Sequence, residues 1–166
     1  MPHALIIFRH SKSDWSADES GSDLDRPLAK RGQKAAKLAG RFLADSGAVP
    51  DSVICSPARR ARATLALASE AREWESAVRE SAALYDGGVE GLIDEVRVEP
   101  ETTQLLMVVG HEPTCSETVS FLIGGGLLRM PTAALARVEL LVNSWDEVAR
   151  GTGMLTWLVV PRLMEP

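Results

Sequence analysis

Three apolar, strand-like runs, each ending on a cationic or imidazole side chain, constrain this chain more than any other feature. Ala4-Leu5-Ile6-Ile7-Phe8 leads into Arg9-His10, and Ser52-Val53-Ile54-Cys55 leads into Ser56-Pro57-Ala58-Arg59-Arg60. Gln104-Leu105-Leu106-Met107-Val108-Val109 leads into Gly110-His111-Glu112-Pro113. The first run is almost continuously apolar, as suits a strand buried on both faces. In an open α/β sheet the ligand crevice lies outside the carboxyl ends of the parallel strands, so residues that follow such strands converge there. Two histidines and at least two arginines would then share one crevice. That is a site for a multiply charged anion, with phosphate the leading candidate.

The rest of the chain supplies the helices that such a sheet needs. After a strand over residues 4–9, residues 11–28 read as a long polar loop, a length that marks a functional or mobile segment. A helix follows over 32–44, with Ala35, Leu38, Ala39, Phe42 and Leu43 at helical spacing. Ser56-Pro57 reads as a capping hydroxyl followed by proline at the first helical position. That second helix runs to about residue 72, with Thr64, Leu67, Ala68 and Ala71 inward. Val78 marks a short edge strand, residues 89–96 a short helix, and Pro113 the opening of a helix to Ile123, broken by Gly124-Gly125-Gly126. Two last strands, 134–142 and 154–160, add an antiparallel edge. The expected fold is α/β: a three-layer α/β/α sandwich with a mostly parallel central sheet, in a single domain over residues 1–166.

Composition narrows the function. A net charge of −5 speaks against broad nucleic-acid binding, which shows a basic face, and makes clustered arginines more informative. No apolar run approaches the roughly 20 residues that cross a bilayer. The N-terminal apolar stretch ends in Arg9-His10, which does not suit a secretion signal. Two cysteines, Cys55 and Cys115, are too few for a disulfide framework, so a reducing cytoplasm is expected. The oligomeric state is not written in the sequence; a monomer is compatible with it.

Arg59, Arg60 and Arg62 crowd a helix start, where cations oppose the helix dipole; an anion seated over that start accounts for them. Arg60, one turn before Thr64, is expected nearest the crevice, with Arg59 and Arg62 solvated. A cysteine-dependent phosphatase needs an arginine six positions after its cysteine. Counted from Cys55 that position is Ala61, so the spacing fails. His3, His10 and His111 are the only histidines, and no HxH, HExxH or paired-cysteine spacing supports a metal site. No metal and no cofactor are expected.

Phe8-Arg9-His10, then Ser56-Pro57-x-x-Arg60-Ala61-x-x-Thr64, then Gly110-His111 resemble the histidine phosphatase superfamily, and the resemblance implies a phosphoglycerate-mutase-like fold. The short length, Arg9-His10-Ser11-Lys12-Ser13-Asp14-Trp15, Asp25-Arg26-Pro27-Leu28 and Pro131-Thr132-Ala133 resemble its SixA-type phosphohistidine phosphatases. The resemblance implies that His10 is the nucleophile and that Arg9, Arg60 and His111 hold the phosphoryl oxygens. It places Arg26 at the border of the pocket. Where the superfamily often has glycine this chain has Ser11, a departure that affects the local backbone or adds a hydroxyl contact to the substrate. Many members carry an acidic proton donor in mid-chain. Here that role is open between Asp86, Glu112 and no residue at all. The implied partner is a protein carrying phosphohistidine. The alternatives are a phosphomonoesterase or mutase acting on a small phosphate ester, and a non-catalytic phosphate-binding module.

Overall fold

The protein is described by a computed structural model covering residues 2–16 and 21–166. Residues 17–20 of the expected polar loop lie outside the described residues. The elements run β1 (His3–Arg9), α1 (Lys30–Asp45), β2 (Ser52–Cys55), α2 (Arg59–Glu70), β3 (Ala77–Glu80) and α3 (Ala83–Asp86). They continue as α4 (Gly88–Arg97), β4 (Leu105–Gly110), α5 (Thr114–Leu122), β5 (Leu135–Leu140), β6 (Gly153–Val159) and α6 (Pro161–Met164). A short 3-10 turn, Asp23–Asp25, precedes α1. The strands form one sheet in the order β3-β2-β4-β1-β5-β6. Its first four strands are parallel, while β5 pairs antiparallel with β1 and β6 with β5, giving the mostly parallel sheet with an antiparallel edge.

The continuous apolar runs are explained by burial on both sides. Because side chains alternate across a strand, Leu5 and Ile7 of β1 enter one core with Leu106 and Val108 of β4, alongside α4 and α5. Ile6 and Phe8 enter the other with Met107 and Val109, against α1 and α2. All four β1 side chains are fully buried, and each contributes about 1.5–3 kcal/mol of transfer free energy. The register then decides where the site lies. Arg9 pairs with Gly110, and Cys55 with Val109, so three strands end flush along one edge of the sheet.

Both proline-marked helices begin later than expected. Ser56 Oγ accepts a hydrogen bond from Ala58 N at 3.2 Å, and α2 starts at Arg59 with extended Ala58 as its cap. Pro113 follows a cis peptide bond and is itself the cap residue of α5. In each case the proline terminates the turn that leaves the strand. The inner stripe of α2 is Ala61, Thr64, Leu65 and Ala68, with Leu67 and Ala71 only half-buried, because α2 rotates to pack on α1. That packing is backbone-close: a Cβ on Gly40 of α1 would lie 2.0 Å from the Ala68 carbonyl oxygen. No helix among the described residues is long and apolar enough to cross a membrane.

Gly40→Ala should destabilise the domain by about 1–3 kcal/mol, the usual range for overpacking, because backbone rather than a flexible side chain must yield. At about 2–4 °C per kcal/mol for a chain of this length, calorimetry should find Tm several degrees lower. An unchanged Tm would mean that α1 and α2 can separate freely.

Candidate active site

The flush strand ends deliver their next residues to one place. Arg9 and His10 leave β1, His111 leaves β4, and Arg60 rises from the first turn of α2. All four line one cavity of about 210 Å³, together with Arg26, Lys12 and Glu112. The rings of His10 and His111 lie 5.1 Å apart between centroids. Arg26 and Arg60 are each only 5% exposed, an unusual placement for two cations.

Hydrogen bonds set the protonation of both imidazoles. His10 Nδ1 lies 2.7 Å from the Ser11 carbonyl oxygen. A carbonyl can only accept, so Nδ1 carries the proton and Nε2 keeps a free lone pair. Arg60 donates from its NH2 group to His111 Nδ1 at 3.3 Å, so the proton of His111 sits on Nε2, which donates to Ser56 Oγ at 2.8 Å. Burial chiefly lowers the His10 pKa from 6.5 to about 3, with His111, Arg60 and Arg9 adding to the effect against the Ser11 hydrogen bond. Burial and the Arg60 charge lower His111 from 6.5 to about 4. Both rings are therefore neutral at pH 7.

The arginines are held from behind. Arg9 donates to the Met130 carbonyl at 2.9 Å. The carboxylate of Asp23 bridges three donors: Arg26 at 2.7 Å, Arg60 at 2.9 Å and the Tyr85 hydroxyl at 2.7 Å. Against its desolvation, the hydrogen bonds from Tyr85 and Arg60 and the charges of Arg60 and Arg26 hold the Asp23 carboxyl down at about 2. The Arg26 guanidinium also stacks 3.4 Å over the Trp15 ring. Even so, the Nε atoms of Arg9, Arg26 and Arg60 are buried donors without a protein acceptor. The pocket offers more donors than the chain satisfies, which is the character of an oxyanion site.

Several expected residues stand elsewhere. Ser11 is fully buried and does not line the cavity; its backbone acts instead, the carbonyl on His10 and the N–H on Thr64 Oγ1 at 3.0 Å. Asp86 is exposed at the end of α3 and does not line the cavity. Glu112 does line it, but its carboxylate accepts from the backbone N–H and the hydroxyl of Ser116 in the first turn of α5. Arg59 and Arg62 are exposed, as expected; Arg59 donates to the Asp25 carbonyl and Arg62 faces Glu80. His3, at the start of β1, pairs with Glu101 and stacks on Trp145. At about 3.3 Å per strand residue, His3 and His10 are some 20 Å apart, and no metal-binding cluster occurs among the described residues. Burial pushes the Cys55 thiol up to about 12, which leaves it inert at pH 7. Asp23 and Tyr85 are contributors that the sequence does not reveal, and Ser56 and Thr64, visible there as motif residues, gain contacts with His111 and Ser11 that it does not reveal. These partners lie up to 62 residues away, and the local signal for Asp23 is its place three positions before Arg26.

The model of the histidine phosphatase superfamily (branch 1) matches residues 5–120. An uncharacterized protein of Mycobacterium tuberculosis is 34% identical over 164 residues, covering 93% of this chain and 99% of its own. A putative phosphohistidine phosphatase SixA from Nakamurella multipartitia superposes with a TM-score of 0.85 at 27% identity, covering 97% of both chains. A protein histidine phosphatase SixA complexed with tungstate superposes with a TM-score of 0.83 at 25% identity, covering 98% of this chain and 99% of that one.

The depressed histidines give a signed pH dependence. Between about pH 6.5 and 3 the unfolded chain binds a proton that folded His10 refuses. Stability from this source is thus complete above pH 6.5 and declines as the pH falls through that window. The ring-proton NMR signals of His10 and His111 should stay at their neutral positions down to about pH 5, while the urea midpoint falls below pH 6.5. A ring titrating at its ordinary value would contradict the burial argument.

Proposed function

The chain belongs to the histidine phosphatase superfamily (branch 1) and shares the fold of its SixA-type members, and on that premise we propose that it dephosphorylates phosphohistidine on proteins through a covalent phospho-His10 intermediate, without a metal ion. One observation carries this reading: among the described residues the His10 ring makes its one hydrogen bond at Nδ1, which leaves a neutral Nε2 for a cavity lined by arginines. Nε2 attacks phosphorus, the P–N bond forms, and the bond to the leaving group breaks. The Ser11 carbonyl stabilises the cation that develops on the phosphorylated ring. Arg9, Arg60 and Arg26 take the charge on the phosphoryl oxygens, the main protein contribution to phosphoryl transfer. A dianion in the pocket raises the pKa of His111; once Arg60 turns from His111 Nδ1 to the phosphate, a protonated Nδ1 can donate a hydrogen bond to a phosphoryl oxygen while Nε2 stays on Ser56. Water then attacks phosphorus, the P–Nε2 bond breaks, and phosphate leaves. The tungstate complex of a SixA relative supports reading the pocket as an oxyanion site.

The substrate class follows from the acids. An alkyl phosphate expels an alkoxide and needs a proton in the transition state. Glu112, which lines the pocket, is committed to Ser116, and Asp23, which holds Arg26 and Arg60, is kept ionised with its pKa at about 2. Phosphohistidine expels an imidazole with an ordinary pKa of about 6.5, which takes its proton from solvent near neutrality. A cavity of about 210 Å³ opening directly on the surface suits a side chain presented by another protein.

His10→Ala should abolish turnover with the fold retained. Wild-type enzyme quenched during turnover should carry phosphate that is labile in acid and stable in alkali, and activity should persist in EDTA. Acid-stable label would sink the nucleophile assignment. A panel of phosphohistidine peptide, p-nitrophenyl phosphate and an alkyl phosphate should rank the alkyl ester far last; equal rates would favour a small-metabolite phosphatase, and no rate on any substrate a binding module.

Arg60→Ala should lower kcat by about 10²–10³, the usual effect of removing one preorganised donor. Arg59→Ala, changing an exposed side chain, should leave kcat nearly unchanged. The reverse order would exchange their roles.

A further inference from the structure

A second feature lies outside the catalytic cavity. An open groove of about 790 Å³ runs between α1 and α6, and Arg31, Lys34, Lys37, Arg41 and Arg162 line it, with Glu165 the only acid. None of these five cations has an ion pair or a side-chain hydrogen bond among the described residues. The groove thus holds five of the 18 cations and one of the 23 anions, leaving the rest of the chain at −9 (13 against 22). Such segregation on an acidic protein produces a strongly one-sided field.

Folding does not explain the arrangement. Lys30 and Arg31 occupy the first turn of α1, which holds no acid, so they oppose the helix dipole. Arg31, Lys34, Lys37 and Arg41 follow at three- and four-residue spacing, where like charges repel along a helix. The cations of the first turn and the repulsion between neighbours weaken α1, and no ion pair to any of the five offsets this among the described residues. Apolar surface lies between the charges, from Leu38 and Pro161.

The helix that carries the groove starts beside the catalytic pocket. Ala29 N donates to the Lys12 carbonyl at 2.9 Å, and a Cβ on Gly32 would lie 2.1 Å from that same oxygen, so the first turn of α1 packs on the loop that lines the pocket. At about 1.5 Å per residue the cations from Arg31 to Arg41 extend some 15 Å away from it. We propose that this groove docks an acidic, partly apolar segment of the phosphoprotein substrate and so directs its phosphohistidine into the pocket. The proposal rests on the phosphohistidine reading above. Acid and apolar character together favour a protein segment over nucleic acid, which would meet the net negative remainder of the molecule.

The test uses synthetic phosphohistidine peptides with one common core: without a tail, with a Glu/Leu tail, or with a Gln/Leu tail. For the wild type, the Glu/Leu tail should raise kcat/KM by about tenfold or more through KM, an advantage that fades as salt rises. In Lys34→Glu/Lys37→Glu/Arg41→Glu the advantage should vanish, while p-nitrophenyl phosphate and the tailless core react as in the wild type. The milder Lys34→Gln/Lys37→Gln variant should lose part of it if the triple variant fails to fold. Fluorescence anisotropy of the unphosphorylated Glu/Leu tail reads the groove without turnover, so failure to hydrolyse the core would count against the phosphohistidine reading alone. No preference for the Glu/Leu tail, an unaltered preference in the variants, equal losses on every substrate, or tighter binding of duplex DNA than of the tail would each overturn the docking proposal.

Discussion

The buried hydrogen bond from His10 Nδ1 to the Ser11 carbonyl, 2.7 Å long, ties the chemistry of this protein to its fold. It selects which ring nitrogen keeps its lone pair, and it depends on contacts well beyond the site. Ser11 N donates to Thr64 Oγ1 at 3.0 Å, and the Thr64 hydroxyl donates to the Arg60 carbonyl at 2.7 Å. The support that orients His10, the proposed nucleophile, therefore belongs to the same helical turn that delivers Arg60. β1 and α2 cannot shift independently without disturbing both. That coupling suits a reaction whose rate depends on positioning to within fractions of an ångström.

The charge balance of the site is deliberately incomplete. Arg26 and Arg60, each 5% exposed, share the single carboxylate of Asp23. Burying cations is costly unless they are paired, and one anion for two arginines keeps them ordered without neutralising them. The two histidines do not add to the excess, because burial keeps them uncharged. An incoming phosphoryl dianion brings the negative charge that the pocket lacks. The charges of Arg60 and Arg9 also help to keep the His10 imidazole neutral, as its proposed role of nucleophile requires.

What could be read from the sequence and what could not divide along a physical line. Strands buried on both faces are apolar throughout, so β1, β2 and β4 announce themselves, and the residues after them follow the topology of a parallel sheet. Arg60 was legible from helical phase relative to Thr64. Asp23, Ser56 and Tyr85 were not, because their roles arise from side-chain contacts across 37 to 62 residues that leave no periodic trace. For Ser11 the sequence leaves backbone and hydroxyl open, and the structure favours the backbone: its carbonyl meets His10, a group that every residue possesses and that no side-chain pattern reveals. The helix starts at residues 57 and 113 were placed early because proline at a first helical position and proline ending a strand-exit turn look alike.

The close approach of α1 to its neighbours has a further consequence. Gly40 meets the Ala68 carbonyl and Gly32 meets the Lys12 carbonyl with no room for even a methyl group at either point. Backbone pressed on backbone has little compliance, so α1 is clamped at its first turn and again farther along. Its charged face and the catalytic cavity then stand at a fixed separation, like two marks on a ruler. Any macromolecule that touches both must supply the matching length itself.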